Sequence, residues 1–374
     1  MIYQTVSQMF NQITLEYKDR DLYYYKNKDR WKGIPGSEIR STVKNLAFGF
    51  QSIEISKGSN VALLSNNSPR WAMGDYGIIC SGAATVSVYP TLIASQVEYI
   101  LNDSNSRVVI VENQEQLGKI NEIWKNCPQM SHVIVLDESD ESEDARIINF
   151  KDFLAMGSQF EKESGNNFED LIKIAEPDDL LTLIYTSGTT GHPKGAMQSH
   201  KAVITNGAMT SQVHMRGPDD VVVSALPCPH VYANVLMTGM MMFGTKLVLH
   251  KIFDPAKVLQ DITVHKATLF DGVPTMYMFM LNSPAFAEAD LSSLKRCYVG
   301  GQTMPVATMV AVEKGFGVPL YELWGMTEIA GLGSTHPLYG KNKHGSIGCA
   351  IPYCELRIAD VDDASKTTPG LLDY

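Results

Sequence analysis

The chain has 374 residues, 44% hydrophobic and 19% charged, enough to bury an extensive core in two or more packed units. Its 31 Lys and Arg against 41 Asp and Glu give a formal net charge of −10, which argues against nucleic acid as a partner and against bulk affinity for anionic membrane. Six scattered cysteines (Cys80, Cys127, Cys228, Cys297, Cys349 and Cys354) contain no Cys-x-x-Cys pair. They read as reduced, mostly buried thiols of a cytoplasmic protein, not as a disulfide framework or zinc site.

From the start of the chain, Val6, Met9, Phe10, Ile13 and Tyr17 predict a helix over 2–17. This segment lacks the basic stretch and apolar core of a signal peptide. The tyrosines at 23–25 and the charged turn after them predict a hairpin over 21–31. An amphipathic helix over 39–53 follows. Apolar runs at 60–64, 83–88, 108–111 and 132–136 alternate with helices expected at 69–81, 95–102 and 117–126, the pattern of stacked β-α units and parallel sheet. The acidic run DESDESED over 137–144 reads as an exposed, solvated loop.

The second half repeats the style. A buried strand over 180–185 leads into a ten-residue loop, 186–195. Helices are expected at 203–213, 231–243, 255–264, 274–281 and 305–314. Strands are expected at 220–226, 246–249, 267–270, 296–299 and 319–321, and short strands and turns after 345. The longest greasy stretch, 233–243, is too short to span a bilayer. It leaves peripheral membrane contact open. The Met-rich part of that helix, 237–242, reads as core, with an apolar tunnel lining as the weaker reading.

Four strand ends carry unusual chemistry, and ligands of open parallel sheets bind beyond such ends. The loop supplies Thr186, Ser187, Gly188, Thr189, Thr190, Gly191 and Lys194: hydroxyls, freely turning backbone and one cation, a cradle for polyphosphate. Gly195, not Ser or Thr, follows Lys194, so this is not a Walker loop. After 220–226 comes Pro227-Cys228-Pro229-His230, where two prolines fix His230 at a helix start. A lone His is more often structural. After 296–299, Gly300-Gly301-Gln302 lets a planar ring approach the backbone. After 319–321, Trp324 can stack on a base, Thr327 can donate to phosphate and Glu328 can hold Mg²⁺ between oxygens. The bland reading of this last turn is Thr327 capping a helix.

Taken together, YTSGTTGHPKG over 185–195, LWGMTE over 323–328, Gly300–Gln302 and KHGSIG over 343–348 resemble the adenylate-forming superfamily of acyl- and aryl-CoA synthetases, luciferases and adenylation domains. The phrases VSVYPTL (86–92) and QVEYIL (96–101) look most like fatty acyl-CoA synthetases. The resemblance implies an α/β fold: a first subdomain over 1–150, a second over 151–340 with the ATP loop, and the start of a small distorted β-barrel over 341–374. It implies activation of a carboxylic acid by ATP and Mg²⁺ to an acyl-adenylate, then thioester formation with CoA. Lys194, His230, Thr327 and Glu328 take the catalytic roles. Gly301, Gln302 and Trp324 surround adenine, the 186–194 loop holds the phosphates, and Glu328 holds the metal.

This sequence departs from the pattern in three ways. Gln302 stands where a small residue is common, and Pro229 precedes His230. The ribose-gripping Asp, the hinge and the Lys-bearing C-terminal domain are not found by Tyr374, so the chain is expected to correspond to the large N-terminal domain. Aryl-CoA or amino-acid adenylation, and a non-catalytic nucleotide-binding fragment, remain alternatives; oligomeric state is not legible.

Overall fold

A computed structural model describes residues 3–27, 30–137, 142–186, 191–363 and 365–366. The chain opens with α1 (Val6–Glu16), the hairpin β1 (Asp21–Asn27) and β2 (Arg30–Pro35), and α2 (Gly36–Ser52). Alternation then sets in: β3 (Asn60–Leu64), α3 (Pro69–Cys80), β4 (Ala84–Val88), α4 (Ala94–Asp103), β5 (Ser106–Val111), α5 (Gln114–Ile123), β6 (His132–Val135) and β7 (Ile147–Asn149). Two helices follow, α6 (Phe150–Ser164) and α7 (Phe168–Leu171), then β8 (Leu180–Thr186), β9 (Lys194–Ser199) and α8 (His200–Val213). The rest runs β10 (Val221–Ser224), α9 (Val231–Met242), β11 (Lys246–Leu249), α10 (Pro255–His265), β12 (Leu269–Gly272), α11 (Pro274–Leu281), β13 (Arg296–Val299), α12 (Val306–Phe316), β14 (Leu320–Met326), β15 (Gly331–Thr335) and β16 (Cys349–Ala350).

These strands form two sheets. One has seven strands in the order β7-β6-β5-β3-β4-β8-β9; the other has nine, β16-β15-β14-β13-β12-β10-β11-β1-β2. Both interiors are parallel, as the alternation predicts, and the departures lie at edges: β8 with β9, β1 with β2, and β14-β15-β16 pair antiparallel. Sheet membership does not follow chain order. The N-terminal hairpin joins the later strands through β1 alongside β11, and β8 and β9 join the earlier sheet alongside β4. Among the described residues the segment after 345 adds the short strand β16 and closes no barrel.

Strand β3 shows why these segments read as unbroken apolar runs. Val61 and Leu63 face one cluster with α1, α2 and α3, while Ala62 and Leu64 face a second with α4 and α5. Side chains alternate along a strand, so a strand covered on both faces needs apolar residues at every position. Helix starts follow their caps: Thr5, Ser68, Asn113, Ser199 and Asp254 each accept a backbone N–H in the first turn. No helix among the described residues is long and apolar enough to cross a membrane.

The sequence reading assigns nothing to 145–179, yet α6 lies there, with Phe150, Phe153, Leu154 and Phe160 at helical spacing and packed toward the main core. It crosses α2 through glycines: a Cβ on Gly157 would lie 1.8 Å from the Asn45 carbonyl oxygen, and one on Gly49 would lie 2.9 Å from the Phe153 ring. Gly157→Val is therefore expected to cost about 3 kcal/mol, the upper end of ordinary overpacking, because backbone must move. Urea unfolding measures this, and a loss below about 0.5 kcal/mol, the usual range of a surface change, would refute the close crossing.

Candidate functional site

The proposed phosphate cradle begins and ends on two paired strands. Leu181 and Ile184 bury β8 beside β4, and β9 runs back along its free side with Tyr185 opposite Gly195 and Thr186 opposite Lys194. The sequence reading carries the loop through Gly195; the structure corrects this, since Lys194 and Gly195 already belong to β9. Strand β9 gives little sequence signal because its outward Met197 is 73% exposed and its inward residue is the polar Gln198, 2% exposed. Gly195 fits because a Cβ there would come within 3.2 Å of the Tyr185 ring. Lys194 is exposed and Thr186 half-buried. Gly191 has φ +139°, a conformation that favours glycine. His192 stacks on Tyr99 of α4 with ring centres 4.6 Å apart, and the Tyr99 hydroxyl donates to the Pro193 carbonyl at 3.1 Å. Ser187, Gly188, Thr189 and Thr190 lie outside the described residues.

Strand β14 carries the second group. Trp324 is half-buried over Gly333 of β15, where a Cβ would come within 2.7 Å of the indole. The chain then makes one tight 3₁₀ turn, Thr327–Ile329, and reverses at Ala330 with φ +58°. Thr327 is buried and Glu328 exposed. The Thr327 carbonyl accepts a 2.7 Å hydrogen bond from the Gln198 amide of β9, which ties the β8–β9 pair to the end of β14. Asn206 of α8 braces the return strand: its amide donates to the Leu332 carbonyl at 2.8 Å and its oxygen accepts the Leu332 N–H at 3.0 Å. Sequence reading missed Gln198 and Asn206. A buried amide on a strand or helix looks like a surface amide until its partner, more than a hundred positions away, is known.

His230 caps α9, its Nδ1 accepting the Tyr232 N–H at 3.1 Å. The residue is exposed at the surface, while desolvation of its ring lowers its pKa. The ring is then neutral with its proton on Nε2, a donor suited to a carboxylate oxygen. Gly300 is buried where a Cβ would meet Leu323 at 2.2 Å, and Gly301 follows with φ +84°. Gln302 is exposed beyond that turn.

His230, Gly301 and Gly325 border a cavity of about 50 Å³ walled by Val235, Leu236 and Leu332. The methionines of α9 do not line it. Met237, Met240, Met241 and Met242 pack in the main core, and the cavity meets the face of α9 bearing Val231, Tyr232, Val235 and Leu236. His214, Arg216 and Asp271, which the sequence reading did not single out, also belong to the cavity's lining. The structure thus brings His230 and Gly301 to one cavity. Trp324 lies beside Gly325 on β14, Thr327 and Glu328 lie in the turn just past it, and Thr186 and Lys194 are linked in through β9. No group of three metal-ligating side chains occurs among the described residues.

Against known proteins, residues 11–371 match the family described as AMP-binding enzyme. A long-chain-fatty-acid–CoA ligase of Escherichia coli O157:H7 is 31% identical over 395 aligned positions, covering 98% of this chain and 68% of that protein. A long-chain-fatty-acid–CoA ligase of Bacillus subtilis (strain 168) is 27% identical over 367 positions, 90% of this chain and 63% of that protein. The chain thus spans less than two thirds of the Bacillus relative's length. The inhibitor-bound N-terminal domain of FACL13 from Mycobacterium tuberculosis superposes with TM-score 0.78 at 25% identity, covering 96% of this chain and 85% of that one.

Proposed function

Because the chain belongs to the AMP-binding enzyme family, we propose that it activates a carboxylic acid, a fatty acid in the first instance, at the expense of ATP. A carboxylate oxygen attacks the α-phosphorus, the bond to pyrophosphate breaks, and an acyl-adenylate remains. The CoA thiolate then attacks the acyl carbonyl carbon and AMP leaves. The curated relatives named as long-chain-fatty-acid–CoA ligases support this choice of acid and acceptor.

The observation that carries the reading is the Gln198–Thr327 bond, which joins the β8–β9 pair to the strand end beside the His230 cavity. Phosphoryl chemistry of this kind needs positioning and charge stabilisation more than covalent help. Thr186 and Lys194, with the loop between them, would hold the β- and γ-phosphates, Thr327 the α-phosphate, and the neutral His230 the carboxylate. Gly301, Gln302 and Trp324 would border adenine.

Magnesium is bound by one or two carboxylates together with substrate phosphates, not by an all-protein cage. The exposed Glu328 beside Thr327 fits that mode. When bound, the ion would neutralise phosphate charge. We place the protein in the cytoplasm, where six free thiols, four of them buried, would stay reduced.

Pyrophosphate exchange into ATP tests the reading. Exchange driven by fatty acids is the expected result. Exchange driven by amino acids instead would overturn the choice of acid, and no exchange with ATP still bound would leave a nucleotide-binding fragment.

A further inference from the structure

One unbroken stretch of chain runs from Lys194 to contacts at both ends of the Thr327–Glu328 turn. Strand β9 starts at Lys194 and passes at Ser199, the N-cap of α8, directly into that helix. Side chains alternate along a strand, so Lys194, Ala196 and Gln198 share one face of β9. Gln198 is 2% exposed there, and its amide reaches the Thr327 carbonyl, at the entry of the turn, at 2.7 Å. Asn206, on the second turn of α8 and 6% exposed, holds the exit. It exchanges two hydrogen bonds with the Leu332 backbone, at 2.8 and 3.0 Å, as a facing residue of an antiparallel strand would. Thr210, one helical turn on, donates to the Asn206 oxygen at 3.2 Å and steadies the amide.

Between these two grips the backbone is tightly placed. The single 3₁₀ turn reverses at buried Ala330, φ +58°, and at Gly331, φ +138°. A left-handed alanine persists only where its surroundings over-determine it. They do so here: a Cβ on Gly331 would lie 2.3 Å from Val235 of α9 and 2.6 Å from the Asn206 oxygen. The Thr327 carbonyl also accepts the Ala330 N–H at 3.1 Å, so the turn closes on itself without Gln198. What the Gln198 amide adds is location. It ties the turn, at the end of β14 in the nine-stranded sheet, to β9 of the seven-stranded sheet.

We propose that Gln198 and Asn206 are positioning residues that set the Thr327–Glu328 turn at the spacing from Lys194 at which both hold one nucleotide. Both are buried and act through others, Gln198 through Thr327 and Asn206 through Leu332 and Gly331. Phosphates gripped from two different sheets need such a tie, because a misplacement of about 1 Å can cost about a hundredfold in rate. The inference rests on reading Lys194 and Thr327 as phosphate ligands.

A double-mutant cycle on Mg-ATP affinity, measured by calorimetry with a melting curve for each variant, tests it. Gln198→Met keeps the side-chain length and removes the donor; Thr327→Val keeps the shape and removes the hydroxyl. Each single variant is expected to weaken Mg-ATP binding about tenfold, the loss of one hydrogen bond to a charged group. The double variant is expected to lose no more than about twofold beyond the weaker single, because a displaced Thr327 has already given up its contact. Asn206→Ser, which shortens the grip on Leu332, is expected to couple to Thr327→Val in the same way, and it decides if Gln198→Met does not fold. Losses that multiply overturn the proposal and leave Thr327 as a phosphate ligand. So does a Gln198→Met protein that melts lower but binds Mg-ATP unchanged. Thr327→Val without effect, or no Mg-ATP binding by the unaltered chain, overturns the phosphate reading and the proposal with it.

Discussion

Lys194→Ala is expected to weaken Mg-ATP binding about 10- to 100-fold, the loss of one charge-assisted hydrogen bond of about 1.5–3 kcal/mol to phosphate. Folding stability is expected to change by less than about 0.5 kcal/mol, as at an ordinary surface position. Lys194 is exposed, and its backbone is held by pairing with Thr186 whatever the side chain. Loss of the ammonium therefore leaves the strand pair intact. Calorimetry with Mg-ATP and a melting curve check both halves. Unchanged ATP affinity would remove Lys194 from the phosphate site, and a core-like drop in melting temperature would mean that the side chain holds the two strands together.

Arg216→Ala is expected to cost about 3–5 kcal/mol of stability, because it strands the Asp271 carboxylate in the interior. Asp271 is 0% exposed and pairs with Arg216 at 2.7 Å; without Arg216 the Tyr232 hydroxyl at 3.2 Å is the hydrogen-bond partner left to its side chain among the described residues. The paired change Arg216→Met with Asp271→Leu is expected to be close to neutral, since both desolvated charges leave together. Urea unfolding of the single and double variants gives the contrast. Equal losses in the two would show that side-chain packing at this site, not charge pairing, dominates.

Both expectations concern residues of opposite legibility. Lys194 stands out in the sequence as a cation among glycines and hydroxyls after an apolar strand. Arg216 does not: it looks like any loop arginine, and its partner lies 55 positions away on β12. The same contrast holds for Trp324–Glu328, read as a special strand end, and Gln198, read as nothing. The Met-rich stretch of α9 shows a third case. Composition told that the helix is buried, but only packing told that Val235 and Leu236, not the methionines, face the cavity.

What the sequence determined by itself is the local layer of the protein. Strands covered on both faces run largely apolar and helices keep one face apolar, so β3, β4, β5 and α2 could be read directly. Tertiary structure alone decided which strands share a sheet, that the N-terminal hairpin joins β11, that β9 returns along β8, and that α6 crosses α2 on bare glycines. These are pairings between distant segments. Edge strands with one polar face, and buried polar groups satisfied from afar, carry no local signature, because the free energy that makes them favourable belongs to the partner as much as to the residue.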